Sequence, residues 1–343
     1  MEILSELGVF GLKALIIVIS IVVVLIAFAF VIAKNKFKED LEVKNINKKY
    51  KNLVEQLKEQ ILSKEDLKKA KKAAKKEKKK NKEDDHKISK KIFVLSFDGD
   101  IKASQVEHLR DEISAVLQIA QPERDEVVIK LESPGGMVHG YGLAAAQLLR
   151  IKQAKINLTV CVDKVAASGG YMMACTADKI LSAPFAILGS IGVIAQVPNI
   201  NRLLKKHDVD YQEMTAGEYK RTISLMGEIT EKGRKKFIED LEDTHELFKD
   251  FVVKYRPQLD INKIATGEHW FGLRALDLKL VDMISTSDDY ILSQVGTAKV
   301  FSVSIPPKKK FQEKVSDALG KIVKEKFMEG IKENQIKSTI ERF

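Results

Sequence analysis

Short apolar runs alternate with segments of helical periodicity from Lys91 onward, and this alternation constrains the fold more than any other feature of the chain. Continuous or alternating apolar runs predict strands at residues 91–97, 126–131, 156–162, 179–182 and 191–196. Apolar residues spaced three and four apart predict helices at residues 104–120, 140–154, 230–254, 261–265 and 272–278. Strands that alternate with helices indicate an α/β domain with a largely parallel sheet.

A run of twenty residues without a charged side chain, Ala14–Ala33, precedes this domain. Its length matches the roughly 20 residues that a helix needs to cross the hydrocarbon core of a bilayer. A cleaved signal peptide is the main alternative, but its apolar region would be only about 7–15 residues long. We therefore predict an uncleaved, single-pass transmembrane helix within residues 1–33.

The net charge of +10 is concentrated beside that apolar run. Residues 34–91 contain 22 lysines against 11 acidic residues, and the rest of the chain is close to neutral. Such a distribution favours an anionic lipid surface over nucleic acid as a partner. We predict a lysine-rich helical or disordered linker over residues 34–90, the globular domain over residues 91–300, and an extension with a C-terminal amphipathic helix over residues 301–343.

Two glycine-containing motifs carry the clearest indications of chemistry. ESPGG (Glu132–Gly136) follows a predicted strand, and such a turn can expose backbone N–H donors to a developing oxyanion. In VAASGGYMMA (Val165–Ala174), Ser168 stands among small residues at a predicted helix start, which would leave its hydroxyl accessible as a nucleophile. Either motif alone is as readily explained by a turn or a helix cap. Together they would meet at one edge of a parallel sheet, where ligand sites occur.

A nucleophilic serine needs a base, and the histidines supply no evident one. Of the six histidines only His139 is near the proposed site, and no His–Asp arrangement is visible. The two cysteines, Cys161 and Cys175, lie in apolar surroundings without a CxxC pair. We expect them to be small buried residues and not zinc ligands. No metal or nucleotide motif is present, and we expect no cofactor.

Four motifs follow one another in the order found in the signal peptide peptidase A and SohB family: ESPGG, ASGGYMMACTADKI, GSIGV (Gly189–Val193) and AGEYKRT (Ala216–Thr222). The chain resembles that family over about residues 90–290. The resemblance implies a ClpP/crotonase-like spiral of ββα units and a catalytic serine–lysine pair. It also implies a homo-oligomeric ring in which neighbouring subunits build each active site together.

The resemblance assigns specific roles to residues of this chain. Ser168 would be the nucleophile, Lys220 the general base and acid, and Ser190 the residue that orients Lys220. A lysine can serve as a base only if its ammonium form is destabilised, so Lys220 would have to be sheltered from water. The remaining expectations are oxyanion donors at Gly136 and Gly169, and substrate-binding residues at Gly135, Ile191 and Gly192.

The implied function is a serine endopeptidase that hydrolyses membrane-associated peptides, such as remnant signal peptides or damaged proteins, at the bacterial inner membrane. The family suggests the periplasmic face, whereas the lysines after the anchor favour the cytoplasm under the positive-inside rule, which is weaker for large domains. Two other functions stay open. One is a catalytically silent membrane scaffold of the same fold, and the other is an acyl-CoA enzyme of the crotonase branch.

Overall fold

The computed structural model describes residues 15–24, 41–69 and 90–306, together with Gly11, Lys13 and Lys72. Residues 42–304 form one compact unit, and residues 1–41 and 305–343 form another. In the second unit, residues 15–24 are helical. No helix in the described residues combines the length and hydrophobicity needed to cross a membrane. The rest of the predicted anchor and the predicted C-terminal helix lie outside the described residues.

The compact unit is built from alternating strands and helices. The strands are β1 (Glu42–Asn45), β2 (Lys91–Asp98), β3 (Glu126–Glu132), β4 (Asn157–Val162), β5 (Val165–Ala167), β6 (Lys179–Ser182), β7 (Ile187–Gly189), β8 (His269–Phe271), β9 (Met283–Ile284) and β10 (Lys299–Ser304). The helices are α1 (Ile46–Ile61), α2 (Val106–Leu117), α3 (Val138–Gln153), α4 (Gly169–Ala174), α5 (Asn201–Lys206), α6 (Glu231–Tyr255), α7 (Ile261–Ile264), α8 (Gly272–Asp277) and α9 (Ser287–Gln294).

Seven of the described strands form one sheet in the order β1-β10-β2-β3-β4-β6-β9. All of its pairings are parallel except that of β1 with β10. Along β2, Phe93 and Leu95 belong to the larger core cluster, and Ile92 and Val94 belong to the smaller one. Both faces of this strand are therefore buried, which explains its continuous apolar sequence. The predicted α/β class with a largely parallel sheet is confirmed.

Two predicted elements differ from the structure for local reasons. Helix α2 begins at Val106 instead of Ser104, because the Ser104 N–H and hydroxyl both donate to the Asp100 carboxylate, at 2.8 and 2.7 Å. The strand predicted at 191–196 is wrong. The strand here is β7, and it ends at Gly189 because Ser190 has a φ of 51°, which interrupts the extended backbone.

Part of the predicted linker packs against the domain. Strand β1 pairs with β10 and adds an edge strand to the main sheet. In α1, the Asn47 amide donates to the Val295 and Ala298 carbonyls at 2.7 and 2.9 Å, and its oxygen accepts the Val300 N–H at 2.8 Å. The compact unit thus includes residues 42–61, which lie before the domain start predicted at residue 91. Long-range polar contacts of this kind leave no periodic signal in a sequence.

Candidate active site

A second, three-stranded sheet in the described chain brings the sequence motifs together. Its strand order is β5-β7-β8, and Ala167 of β5 is paired with Gly189 of the parallel strand β7. Ser133, at the end of β3, forms a parallel bridge with Ala166 of β5. The segments ESPGG, ASGGY and GSIGV therefore leave their strands side by side. The expected meeting of the first two motifs at one sheet edge is observed.

Ser168 occupies a sharp turn between β5 and α4. Its backbone has φ 51° and ψ −118°, a conformation that residues other than glycine rarely adopt. Its N–H donates to the Gly189 carbonyl at 2.7 Å, and its carbonyl accepts the Met172 N–H at 2.9 Å. The residue is partly exposed, whereas its neighbours Ala167 and Gly169 are buried. A strained backbone held in this way commonly marks a functional position.

The SPGG turn packs directly on Ser168. Gly135 has a φ of +91°, and a Cβ atom built on it would lie 2.7 Å from the Cβ of Ser168 and 2.8 Å from the N atom of Gly169. Both the backbone conformation and this close approach require glycine. The predicted nucleophile and the predicted oxyanion turn are therefore in van der Waals contact.

The backbone donors of this turn differ in availability. The Gly135 N–H donates to the Ser133 hydroxyl at 3.1 Å. The N–H groups of Gly136 and Gly169 donate to no acceptor within the described part of the chain. Two of the backbone N–H groups around Ser168 thus have no acceptor in the described chain, and they belong to the residues at which the family resemblance predicts oxyanion donors.

Ser190 lies next to Ser168 and has the same positive φ. It follows Gly189, the strand partner of Ala167, and its φ is also 51°. Its N–H donates to the Glu268 carbonyl at 2.7 Å. The ring of Trp270 packs so closely on Gly189 that a Cβ there would lie 2.7 Å from it. Trp270 was not identified from the sequence, because a single tryptophan carries no pattern.

Lys220 lies outside the three strands that bring these residues together. It is exposed, in the irregular segment 207–230 between α5 and α6, and its N–H donates to the Gly217 carbonyl at 3.2 Å. In the described chain, neither the Lys220 ammonium nor the Ser168 hydroxyl forms a hydrogen bond. The same segment surrounds a polar cavity of about 250 Å³, beside which Arg221 and Glu213 form an ion pair at 2.8 Å.

The remaining predicted substrate residues flank Ser190. The Ile191 side chain is fully buried, and its carbonyl accepts the Gly267 N–H at 3.1 Å. The His245 ring nitrogen Nε2 lies 3.3 Å from the same carbonyl. A Cβ on Gly192 would lie 3.0 Å from the Cα of Gly267. Ile191 could therefore meet a peptide only through its backbone N–H.

Cysteine and metal chemistry find no support in the described residues. Cys161 and Cys175 are free and buried, as predicted. Burial raises the pKa of each thiol to about 12, so both stay protonated and weakly nucleophilic at neutral pH. Among the residues that the structure describes, no three His, Cys, Asp or Glu side chains are grouped as metal ligands.

A parallel-sheet edge that combines a strained, accessible serine with two free backbone N–H groups is the arrangement expected of a serine hydrolase. The family models Peptidase family S49 N-terminal and Peptidase family S49 match residues 2–148 and 150–300. The chain belongs to peptidase family S49, and the family resemblance expected from the motifs is confirmed.

Two curated relatives agree with this assignment. "Probable protease SohB" of Haemophilus influenzae is 52% identical over 325 residues, which cover 91% of this chain and 92% of the relative. "Probable protease SohB" of Buchnera aphidicola subsp. Acyrthosiphon pisum is 55% identical over 66% of this chain and 67% of its own. Among solved structures, a mutant of the 1510-N membrane-bound stomatin-specific protease in complex with a substrate peptide matches with a TM-score of 0.38 at 14% identity, over 66% of this chain and 96% of that chain.

Proposed function

We propose that the protein is a serine endopeptidase in which Ser168 is the nucleophile, Lys220 the general base and acid, and Ser190 the residue that orients Lys220. The observation that carries the proposal is the contact of Ser168 with the SPGG turn at the edge of β5. The free N–H groups of Gly136 and Gly169 support their role as the oxyanion hole. A ClpP/crotonase-like spiral is the fold we propose for the domain.

The proposed reaction uses these groups in sequence. Neutral Lys220 takes the hydroxyl proton of Ser168 as its oxygen attacks the peptide carbonyl. The Gly136 and Gly169 N–H groups stabilise the negative charge on the tetrahedral intermediate. Lys220 then protonates the leaving amine, and an acyl-enzyme remains on Ser168. Lys220 deprotonates a water molecule, which attacks the ester carbonyl, and as the bond to Ser168 breaks, Lys220 returns the proton to the Ser168 oxygen. No cofactor takes part.

Lys220 would reach a serine through assembly of the chain. A lysine is a base only in its neutral form, and removal from water favours that form. Exposed apolar side chains surround Lys220 in its segment, including Met214, Tyr219 and Leu225. Such a surface supports contact with another subunit. We propose a homo-oligomeric ring in which neighbouring subunits share each site.

Substrates and location follow from the membrane anchor that the sequence predicts. A protease tethered to the bacterial inner membrane would meet membrane-associated peptides, such as remnant signal peptides or damaged proteins. An extended peptide would contact Gly135 and Gly192 by its backbone, and Ile191 through the N–H that its buried side chain leaves available. The catalytic domain is proposed to face the periplasm.

Replacement of Lys220 by alanine is expected to lower kcat for a fluorogenic apolar peptide by about 10²- to 10⁴-fold, the range of general acid–base catalysis. Lys220→Arg should be equally impaired, because a guanidinium keeps its proton. Lys206→Ala removes another exposed lysine, at the end of α5, and should leave kcat unchanged. Hydrolysis is followed by fluorescence in the full-length protein.

If neighbouring subunits share each active site, mixing two impaired variants tests the same proposal in a second way. Ser168→Ala and Lys220→Ala chains, each inactive alone, should regain partial activity when unfolded and refolded together, because some mixed sites contain both intact residues. Full activity of Lys220→Ala would contradict the proposed base. A wild-type chain that cleaves no peptide would favour the silent scaffold.

Membrane attachment is expected to depend on the uncharged run. Two lysines at its centre, Val22→Lys and Val23→Lys, cost about 2.5–3.5 kcal/mol each on insertion scales and should release the protein from membranes. The matched control is Val209→Lys, a charge added at another exposed valine. Alkaline carbonate extraction of cell membranes measures the effect. Release of the wild-type chain under the same conditions would rule out the anchor.

A further inference from the structure

A chain of hydrogen bonds runs away from the SPGG turn into the domain. Tyr141 of α3 donates its phenolic proton to the Asp100 carbonyl at 2.8 Å. The Tyr141 oxygen also lies 2.5 Å from the Ser133 hydroxyl oxygen. Since the single phenolic proton goes to Asp100, the Ser133 hydroxyl must donate to Tyr141. Its lone pairs are then left to accept the Gly135 N–H at 3.1 Å.

Burial of these hydrogen-bonded side chains fixes the direction in which each hydrogen bond is donated. Ser133 and Tyr141 are both fully buried. Burial raises the pKa of Tyr141, so the phenol stays protonated at neutral pH and remains a donor to Asp100. Consecutive hydroxyls that each donate and accept polarise one another, which strengthens every link. The result is an ordered series of three donors that starts at the Gly135 N–H of the turn and ends on the Asp100 carbonyl.

Tyr141 and Ser133 together connect the two halves of the candidate oxyanion hole. The Tyr141 ring packs on Gly169, where an added Cβ would overlap it. Its hydroxyl, through Ser133, holds Gly135, the residue before the other donor. The Ser133 backbone N–H donates to the Val165 carbonyl at 2.8 Å, and the Ser133 carbonyl accepts the Ala167 N–H at 3.0 Å. Ser133 thereby links the turn to the strand that ends at Ser168.

We propose that Tyr141 and Ser133 are positioning residues that hold the Gly136 and Gly169 N–H groups at the spacing required by the tetrahedral intermediate. The inference rests on the proposed serine peptidase function and deepens it. Neither side chain touches the substrate. They act because the Gly135 N–H, once held by Ser133, cannot compete for the oxyanion, and because the turn cannot move away from Ser168.

The test compares two tyrosines in the full-length protein. Tyr141→Phe keeps the ring against Gly169 and removes only the hydroxyl. Tyr171→Phe is the matched control, because Tyr171 is also fully buried, lies in α4 beside Ser168, and donates to one carbonyl, that of Leu280, at 2.9 Å. A purely structural role predicts the same result for both. A positioning role predicts a difference in catalysis.

Tyr141→Phe and Ser133→Ala should each lower kcat by about 10- to 100-fold while KM changes little, because loss of an oxyanion donor costs about 10²- to 10³-fold and a displaced donor costs less. Inhibition by a peptide aldehyde, which forms a tetrahedral adduct with the serine, should weaken by the same factor. The double variant should be no worse than the poorer single variant, because both act through one chain.

The possible results separate the two proposals. If Tyr141→Phe and Tyr171→Phe lower kcat equally, or if the two single effects add in the double variant, the positioning role is overturned. If Tyr141→Phe or Ser133→Ala unfolds, as judged by thermal unfolding, the remaining one of these two variants is compared with Tyr171→Phe. Activity that survives Ser168→Ala would instead overturn the proposed function, and the inference with it.

Discussion

Ser168→Ala is expected to lower kcat/KM for peptide hydrolysis by about 10⁴- to 10⁶-fold, the range seen when a serine protease loses its nucleophile. The hydroxyl of Ser133, in the same turn, is buried and hydrogen-bonded to Tyr141, whereas Ser168 is partly exposed beside two N–H groups that donate to no acceptor in the described chain. Ser190→Ala should have an intermediate effect, because it would disorder the base without removing the nucleophile. Ser293→Ala, on the surface of α9, should have none.

A second substitution at Ser168, to glycine, should also abolish activity but should give a more stable protein than Ser168→Ala. The φ of 51° at Ser168 costs about 1–3 kcal/mol in a residue with a side chain. Glycine relieves this strain but costs about 0.5–1 kcal/mol of added freedom in the unfolded chain. Ser168→Gly should therefore be inactive and about 1 kcal/mol more stable than Ser168→Ala, as measured by denaturant unfolding. A Ser168→Gly variant that is about 0.5–1 kcal/mol less stable than Ser168→Ala would show that the turn is unstrained.

Arg256→Ala is expected to lower the free energy of unfolding by about 3 kcal/mol and Tm by about 6–12 °C. Arg256 is 3% exposed and forms two hydrogen bonds to the Asp282 carboxylate, at 2.9 and 2.8 Å, and one to the Lys279 carbonyl at 2.9 Å. Removal of the cation would leave Asp282, which also accepts the Ile180 N–H, as a poorly hydrated, unpaired charge. Its partial exposure limits the loss to the lower end of the usual range for buried pairs.

An exposed arginine in α6, the helix that ends just before Arg256, is the matched control. Arg234 lies 3.9 Å from Glu231, and both side chains are exposed. Surface pairs of this kind contribute little, so Arg234→Ala should leave Tm unchanged. Thermal unfolding followed by circular dichroism compares the two variants. Similar Tm values for both would mean that the Arg256–Asp282 pair does not fasten the end of α6 to the main sheet.

The elements that could be predicted are those whose signal is local. Strand β6 matches its predicted range, Lys179–Ser182, because a short apolar run buried on both faces has few other conformations. The Thr230 side chain caps α6 by accepting the Gly233 N–H, where a predicted helix began. The failed strand at 191–196 has an equally apolar sequence. Its backbone is redirected by Ser190, whose conformation depends on Glu268, far along the chain.

The site shows the same division between local and long-range information. Residue types and order indicated the small residues around Ser168 and the SPGG turn, because only glycine permits close backbone approach. Tyr141 was missed, since an aromatic residue on an amphipathic helix is an ordinary core residue by pattern. Its hydroxyl has a specific role only because the fold places it within hydrogen-bond distance of Ser133, after β3, and Asp100, after β2.

The sequence by itself determined the α/β class, the positions of strands β2, β3, β4 and β6 and of helices α2, α3, α6, α7 and α8, the family, and the two motifs that carry the serine and the turn. Periodicity and glycine requirements are properties of a few neighbouring residues, and they can be read without the fold. The tertiary structure alone decided that Ser168 touches Gly135, that Ser190 follows the strand partner of Ala167, and that Tyr141 packs on Gly169 and bonds Ser133. These contacts depend on strand register, which brings residues that are distant along the chain into one corner of the sheet.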